Sequence, residues 1–104
     1  MLFVQNRIQL NEGFEHIFED PNQDGQGEDV PGRIYFGRLK SDEPGVYINL
    51  SIWESREAFE TWRGSESFKR AHSRPMPEGA IAGRPQLTIA EVLYSEGSLV
   101  AESA

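Results

Sequence analysis

A chain of 104 residues has the length of one domain and can build a single hydrophobic core. Its hydrophobic fraction of 38% and charged fraction of 26% predict a folded, water-soluble unit, while 17 Asp and Glu against 10 Lys and Arg leave a net charge of −7 that opposes nucleic acid and anionic membrane surfaces as partners. With no cysteine, disulfides, thiolate zinc sites and iron–sulfur clusters are excluded.

No run approaches the roughly 18 apolar residues that a bilayer span needs. The opening "MLFVQNRIQL" sets Asn and Arg where a secretory leader carries an apolar block, so a cytoplasmic location is expected. Within that opening Leu2, Val4, Ile8 and Leu10 fall on one face of an extended chain, with Phe3, Gln5, Arg7 and Gln9 on the other. Asn6 is the polar member of the apolar set. "GFEHIFED", Gly13 to Asp20, spaces Phe14, Ile17 and Phe18 as a short helix does, and Pro21 ends it. Residues 21–32, rich in Gly, Pro, Asn and Asp, are expected to form an exposed acidic loop. "RIYFGRLK" and "VYINLSIW" then read as two strands joined by the turn "SDEPG". In the second of these, Val46, Ile48, Leu50 and Ile52 alternate with Tyr47, Asn49, Ser51 and Trp53, and the aliphatic set is expected to face the core.

Ser55 is placed to cap a helix whose inward stripe is Ala58, Phe59 and Trp62; Gly64 and Ser65 interrupt it, and Phe68, Ala71 and His72 resume the spacing. Three prolines keep residues 74–85 irregular, "QLTIAEVLY" supplies a last strand, and residues 97–104 read as a frayed tail. The order β-α-β-β-α-β in one domain spanning residues 1–104 predicts an α+β fold, the ferredoxin-like split βαβ arrangement, with helices on one sheet face. Alternation assigns Phe3, Tyr35, Leu39, Tyr47 and Trp53 to the opposite face. An aromatic surface of that kind calls for a partner, so a homodimer joined sheet to sheet is expected.

Few motifs carry chemistry. "DPNQDG", Asp20 to Gly25, supplies the first half of a calcium loop, but its twelfth position is Pro31 instead of a closing Glu. Nucleophile-elbow, zinc-protease and phosphate-loop patterns are absent. His16 lies on the polar side of the first helix. His72 lies on the apolar side near a helix end, where the helix dipole also favours a protonated imidazole. Taken singly, Asn6, Trp62 and His72 are each accounted for by packing or backbone satisfaction.

Taken together, "FVQNRIQLNEGFE" and "IWESREAFETWRGSESFKRAHSR" resemble the haem-degrading monooxygenases of the IsdG type, within the antibiotic biosynthesis monooxygenase (ABM) superfamily. The resemblance covers the first strand and the region from about Val46 to Arg74. The pattern W-x-S-x-E-A-F-x-x-W from Trp53 to Trp62 speaks for the superfamily at large, whose members form dimeric α+β barrels. The trio Asn6, Trp62 and His72 matches the positions that carry the distal amide, the indole against the porphyrin and the iron ligand in the haem-degrading branch. The resemblance implies haem as substrate and cofactor together, dioxygen as co-substrate and an external reductase as electron donor. A straight helix would hold Trp62 and His72 ~15 Å apart, so the break at Gly64 and Ser65 is expected to turn both towards one cavity. Two alternatives remain: a haem-independent monooxygenase of the same superfamily acting on an aromatic or quinone-like molecule, and a haem-binding protein without activity.

Overall fold

The computed structural model describes residues 1–19, 30–71 and 76–97. Four strands, β1 (Leu2–Gln9), β2 (Arg33–Lys40), β3 (Val46–Trp53) and β4 (Gln86–Glu91), form one antiparallel sheet in the order β2-β3-β1-β4. Three helices accompany it: α1 (His16–Glu19), α2 (Arg56–Arg63) and α3 (Glu66–Ala71). The α+β class and the split βαβ order expected from the sequence are present. The second helix is divided in two at the Gly64–Ser65 break.

The division has a local cause. Ser55 caps α2 by accepting the Ala58 N–H at 3.1 Å. At the other end Ser65 donates its hydroxyl to the Trp62 carbonyl at 2.6 Å and accepts the Phe68 N–H at 3.2 Å, closing α2 and opening α3 with one side chain. The chain enters α2 past a tight approach at Gly32, whose φ of +78° suits glycine and where an added Cβ would stand 2.5 Å from the Ala58 Cβ.

β1 buries the side predicted for it: Leu2, Val4, Ile8 and Leu10 are each 7% exposed or less. In β3 Val46 and Ile52 are buried as expected, at 2% and 1% exposed, but the aliphatic set lies on the face away from the helices. The antiparallel register pairs Leu2 with Trp53, Val4 with Ser51, Asn6 with Asn49 and Ile8 with Tyr47, and directly opposed residues share a face. Tyr47, Asn49, Ser51 and Trp53 therefore lie on the helix-covered face, while Val46, Ile48, Leu50 and Ile52 join Phe3, Tyr35 and Leu39 on the other. The aromatic pair is the better core filler here. Trp53 is 0% exposed with its indole N–H donated to Ser51 Oγ at 2.9 Å, and Tyr47 is 2% exposed.

The covered face holds two separate apolar clusters. At one end Leu2, Val4, Val30, Trp53 and Phe59 pack together with Trp62 and Ile89 against them. At the other, Ile8, Leu10 and Tyr47 are covered by Phe14 and Phe18 of the α1 region and by Met76 and Ile81. The isolated bridge Leu10↔Ile81 is all the pairing that residues 76–85 make. Proline-rich chain cannot sustain a ladder. The last strand stops at Glu91, three residues short of the predicted end, and Leu93 and Tyr94 beyond it are 94% and 77% exposed.

Candidate active site

Between the two clusters the covered face is polar. One row crosses all four strands there: Arg38 on β2 pairs with Asn49 on β3, Asn49 with Asn6 on β1, and Asn6 with Leu87 on β4. This row is the floor between the two clusters. The first cluster, with α2 and α3, rises on one side, and the second, under α1, on the other. The middle is incompletely covered, since Phe36 and Leu87, whose alternation puts them on this face, are 47% and 51% exposed.

Asn6 occupies the centre of the floor and is half-buried. Among the described residues nothing hydrogen-bonds its carboxamide. Flanked by Val4 and Ile8 along its strand and still open to solvent, the amide is placed to meet water or a ligand on this face.

Trp62 comes from the last turn of α2 and stands at the edge of the first cluster. Its ring centroid lies 5.3 Å from that of Trp53, tilted by 37°, and 4.9 Å from that of Phe68, edge-on at 89°. Phe59 continues the run, 5.6 Å from Trp53. The indole is thus held between two aromatic neighbours, Trp53 and Phe68, which fixes the orientation of the surface that α2 and α3 present. His72, the predicted iron ligand, lies outside the described residues, as does the acidic stretch Asp20 to Gly25. Among the described residues no three His, Cys, Asp or Glu gather into a metal cage. His16 is exposed, as its place on the polar side of α1 implied.

Two residues of the floor escaped the sequence reading. Arg38 Nε donates to Asn49 Oδ1 at 2.9 Å, and its guanidinium lies 4.4 Å from the centroid of Phe18. Desolvation lowers the pKa of Arg38 from its ordinary value, yet a guanidinium keeps its charge. The signal available was the face shared by Asn49 and Trp53, four residues apart on one strand; assigning Trp53 outward sent Asn49 with it.

Beside the second cluster Tyr47 donates its hydroxyl to Glu19, whose carboxylate also meets Lys40 Nζ at 3.1 Å. The Tyr47 phenol is pushed up to about 12, first by that hydrogen bond and then by burial, while the same bond, followed by Lys40, lowers Glu19. The clamp ties the end of α1 to β2 and β3.

Comparison with known proteins places this geometry. Residues 1–74 match the family model described as antibiotic biosynthesis monooxygenase. A haem-degrading monooxygenase of Bacillus cereus (strain B4264) is 32% identical over 84 residues, which cover 75% of this chain and 78% of that protein. One from Bacillus thuringiensis (strain Al Hakam) is 32% identical over 77 residues, 70% of this chain and 72% of its own. Among solved structures, the haem-degrader MhuD of Mycobacterium tuberculosis, with two haems bound in its active site, superposes with a TM-score of 0.74 at 22% identity, covering 93% of this chain and 100% of that one. An antibiotic biosynthesis monooxygenase homologue from Nitrosomonas europaea gives a TM-score of 0.72 at 15% identity over 90% and 100% of the two chains. At those identities what is shared is the fold. The family match reaches from the first strand through the divided helix, and on that ground the chain belongs to the antibiotic biosynthesis monooxygenase family.

Proposed function

We propose that this protein is a haem-degrading monooxygenase, acting as a homodimer and drawing electrons from an external reductase. The observation that carries the reading is the half-buried Asn6 carboxamide, without a protein partner among the described residues, on the sheet face between two apolar clusters. The donor set suits a flat apolar substrate that bears a polar centre. The apolar clusters would flank the ring, while the Asn6 amide between them would meet its polar centre. The curated relatives at 32% identity favour the same substrate.

In this reading His72 would hold the haem iron as a neutral imidazole, Asn6 would supply an N–H donor to the bound substrate, and Trp62 would pack against the ring. Bound haem supplies a redox-active iron at which dioxygen is activated against the porphyrin itself. Asn6 would orient an acceptor atom brought within its reach, because a fixed donor stabilises charge developing there. Trp62, braced by Trp53 and Phe68, would offer the ring a fixed indole surface.

The homodimer is supported by the sheet face opposite the helices, where Phe3, Tyr35, Leu39, Ile48 and Leu50 have no helix over them among the described residues. Next to it an open hollow of about 510 Å³ is lined by Phe3, Thr88, Ala90, Leu93 and Tyr94. A second copy laid sheet to sheet would cover both.

Titration with hemin tests the function. The expected result is a Soret band that His72→Ala abolishes, and loss of that band under ascorbate and oxygen with release of iron. Asn6→Ala is expected to bind hemin and fail to degrade it. Absence of any Soret band with the unaltered protein overturns the haem reading and shifts it to the metal-free branch of the family.

A further inference from the structure

The geometry points to Asn49 as a second ligand-directed amide of the helix-covered face, paired with Asn6 and held in its working orientation by Arg38. The assignment rests on the haem reading above and extends it to a residue that the matched trio does not include.

Three observations lead to it. First, Asn49 and Asn6 are directly opposed in the β1–β3 ladder, so their Cβ atoms share the covered face at about 4.5–5.5 Å, close enough for two carboxamides to converge on one acceptor atom. Second, the orientation of the Asn49 amide is decided by chemistry. The Arg38 Nε–H is a donor only, and at 2.9 Å it must face the carbonyl oxygen, Oδ1. The NH2 group of Asn49 is therefore turned away from Arg38. Third, that NH2 meets no acceptor among the described residues although Asn49 is half-buried, the same condition as the Asn6 amide.

The Arg38 guanidinium is itself located from two sides, by Asn49 beside it and by the Phe18 ring. Its charge polarises the amide whose oxygen it holds, which makes the outward N–H a stronger donor. Asn49 is thus a binding residue for the acceptor atom that Asn6 also serves, and Arg38 is a positioning residue that acts through it. Two preorganised donors on neighbouring strands would fix the direction of that acceptor as well as its presence, and so the position on the ring that is presented for attack.

The test uses the full chain loaded with hemin and reads azide affinity of the ferric complex, a hydrogen-bond-accepting ligand, by optical titration. Asn49→Leu, of similar volume, is expected to keep hemin binding and to weaken azide about three- to tenfold, the worth of one hydrogen bond. Arg38→Met is expected to weaken azide as well, and Arg38→Met combined with Asn49→Leu to be no weaker than Asn49→Leu alone, since the arginine acts through the amide. The double variant leaves no guanidinium beside a leucine, so it carries the test should Asn49→Leu fail to fold. Under turnover the ratio of ring-opened product isomers is expected to shift in Asn49→Leu. Unchanged azide affinity and isomer ratio in the Asn49 variants, with hemin bound normally, overturn the assignment and leave the haem reading standing. A double variant weaker than Asn49→Leu alone removes Arg38 from its role, its charge then acting directly on the anion. No Soret band with the unaltered protein overturns both.

Discussion

The indole of Trp62 packs against that of Trp53 with 5.3 Å between ring centroids and 37° between planes. One ring belongs to the sheet and is 0% exposed; the other belongs to α2 and is only partly buried. The contact therefore joins the deepest part of the core to its half-buried edge, and the two positions respond differently to truncation. Trp53→Ala is expected to cost about 3–5 kcal/mol, the range for a buried aromatic, and to abolish cooperative unfolding at the warm end of the accessible temperatures. Trp62→Ala should cost less, about 2 kcal/mol, because part of its surface is already wet. Thermal melts of the two variants check the order. A Trp62 variant less stable than its Trp53 counterpart would contradict it.

The Tyr47–Glu19 clamp predicts a pH signature at both ends. The Tyr47 phenol is raised in the folded state, so its contribution is present in full below its unfolded value near 10 and is lost as pH rises through about 12. Glu19 is lowered, so its contribution is present above the ordinary carboxylate range and is lost as pH falls through its depressed value. Absorbance at 295 nm should show a tyrosine step near 12 that vanishes in Tyr47→Phe. Glu19→Gln should bring that step down towards the ordinary phenol value, because the carboxylate is the largest cause of the shift.

Gly32 makes a further prediction. Its φ is +78°, which costs an L residue about 1–2 kcal/mol, and its Cβ position is occupied by the Ala58 side chain at 2.5 Å. Gly32→Ala should therefore destabilise by more than that conformational cost, by about 2–3 kcal/mol once the α2 approach is forced open. Pairing it with Ala58→Gly should recover the part due to the clash and leave the rest. Denaturant midpoints of the single and double variants separate the two contributions.

The open sheet face bears on assembly. Leu50 lies at its centre, opposite Gln5 on one side and Gly37 on the other. Leu50→Arg should convert a dimer to a monomer in light-scattering measurements while the circular dichroism spectrum is kept, since the side chain points away from the helices. A monomeric unaltered protein would refute the sheet-to-sheet proposal.

Much of the site's surroundings could be read locally. The β1 alternation, the limits of β2 and β3, the Ser55 cap and the break at Gly64 and Ser65 are each decided within a few residues, by period, capping chemistry or loss of helical propensity. Asn6 stood out for the same reason, as one polar residue in an apolar set. Arg38 and Asn49 did not, because each sits in a strand whose two faces both carry apolar side chains.

What the sequence determined by itself is which residues share a face; what the tertiary structure decided is which face is covered. In β3 alternation separates Val46, Ile48, Leu50 and Ile52 from Tyr47, Asn49, Ser51 and Trp53 without ranking them, since a central strand of this sheet has apolar residues on both sides. The register with β1 settles it, setting Trp53 against Leu2 and Tyr47 against Ile8, where α2 and α1 bury them. Period is a property of one strand, whereas burial depends on its cross-strand partners and on the helices that pack over them.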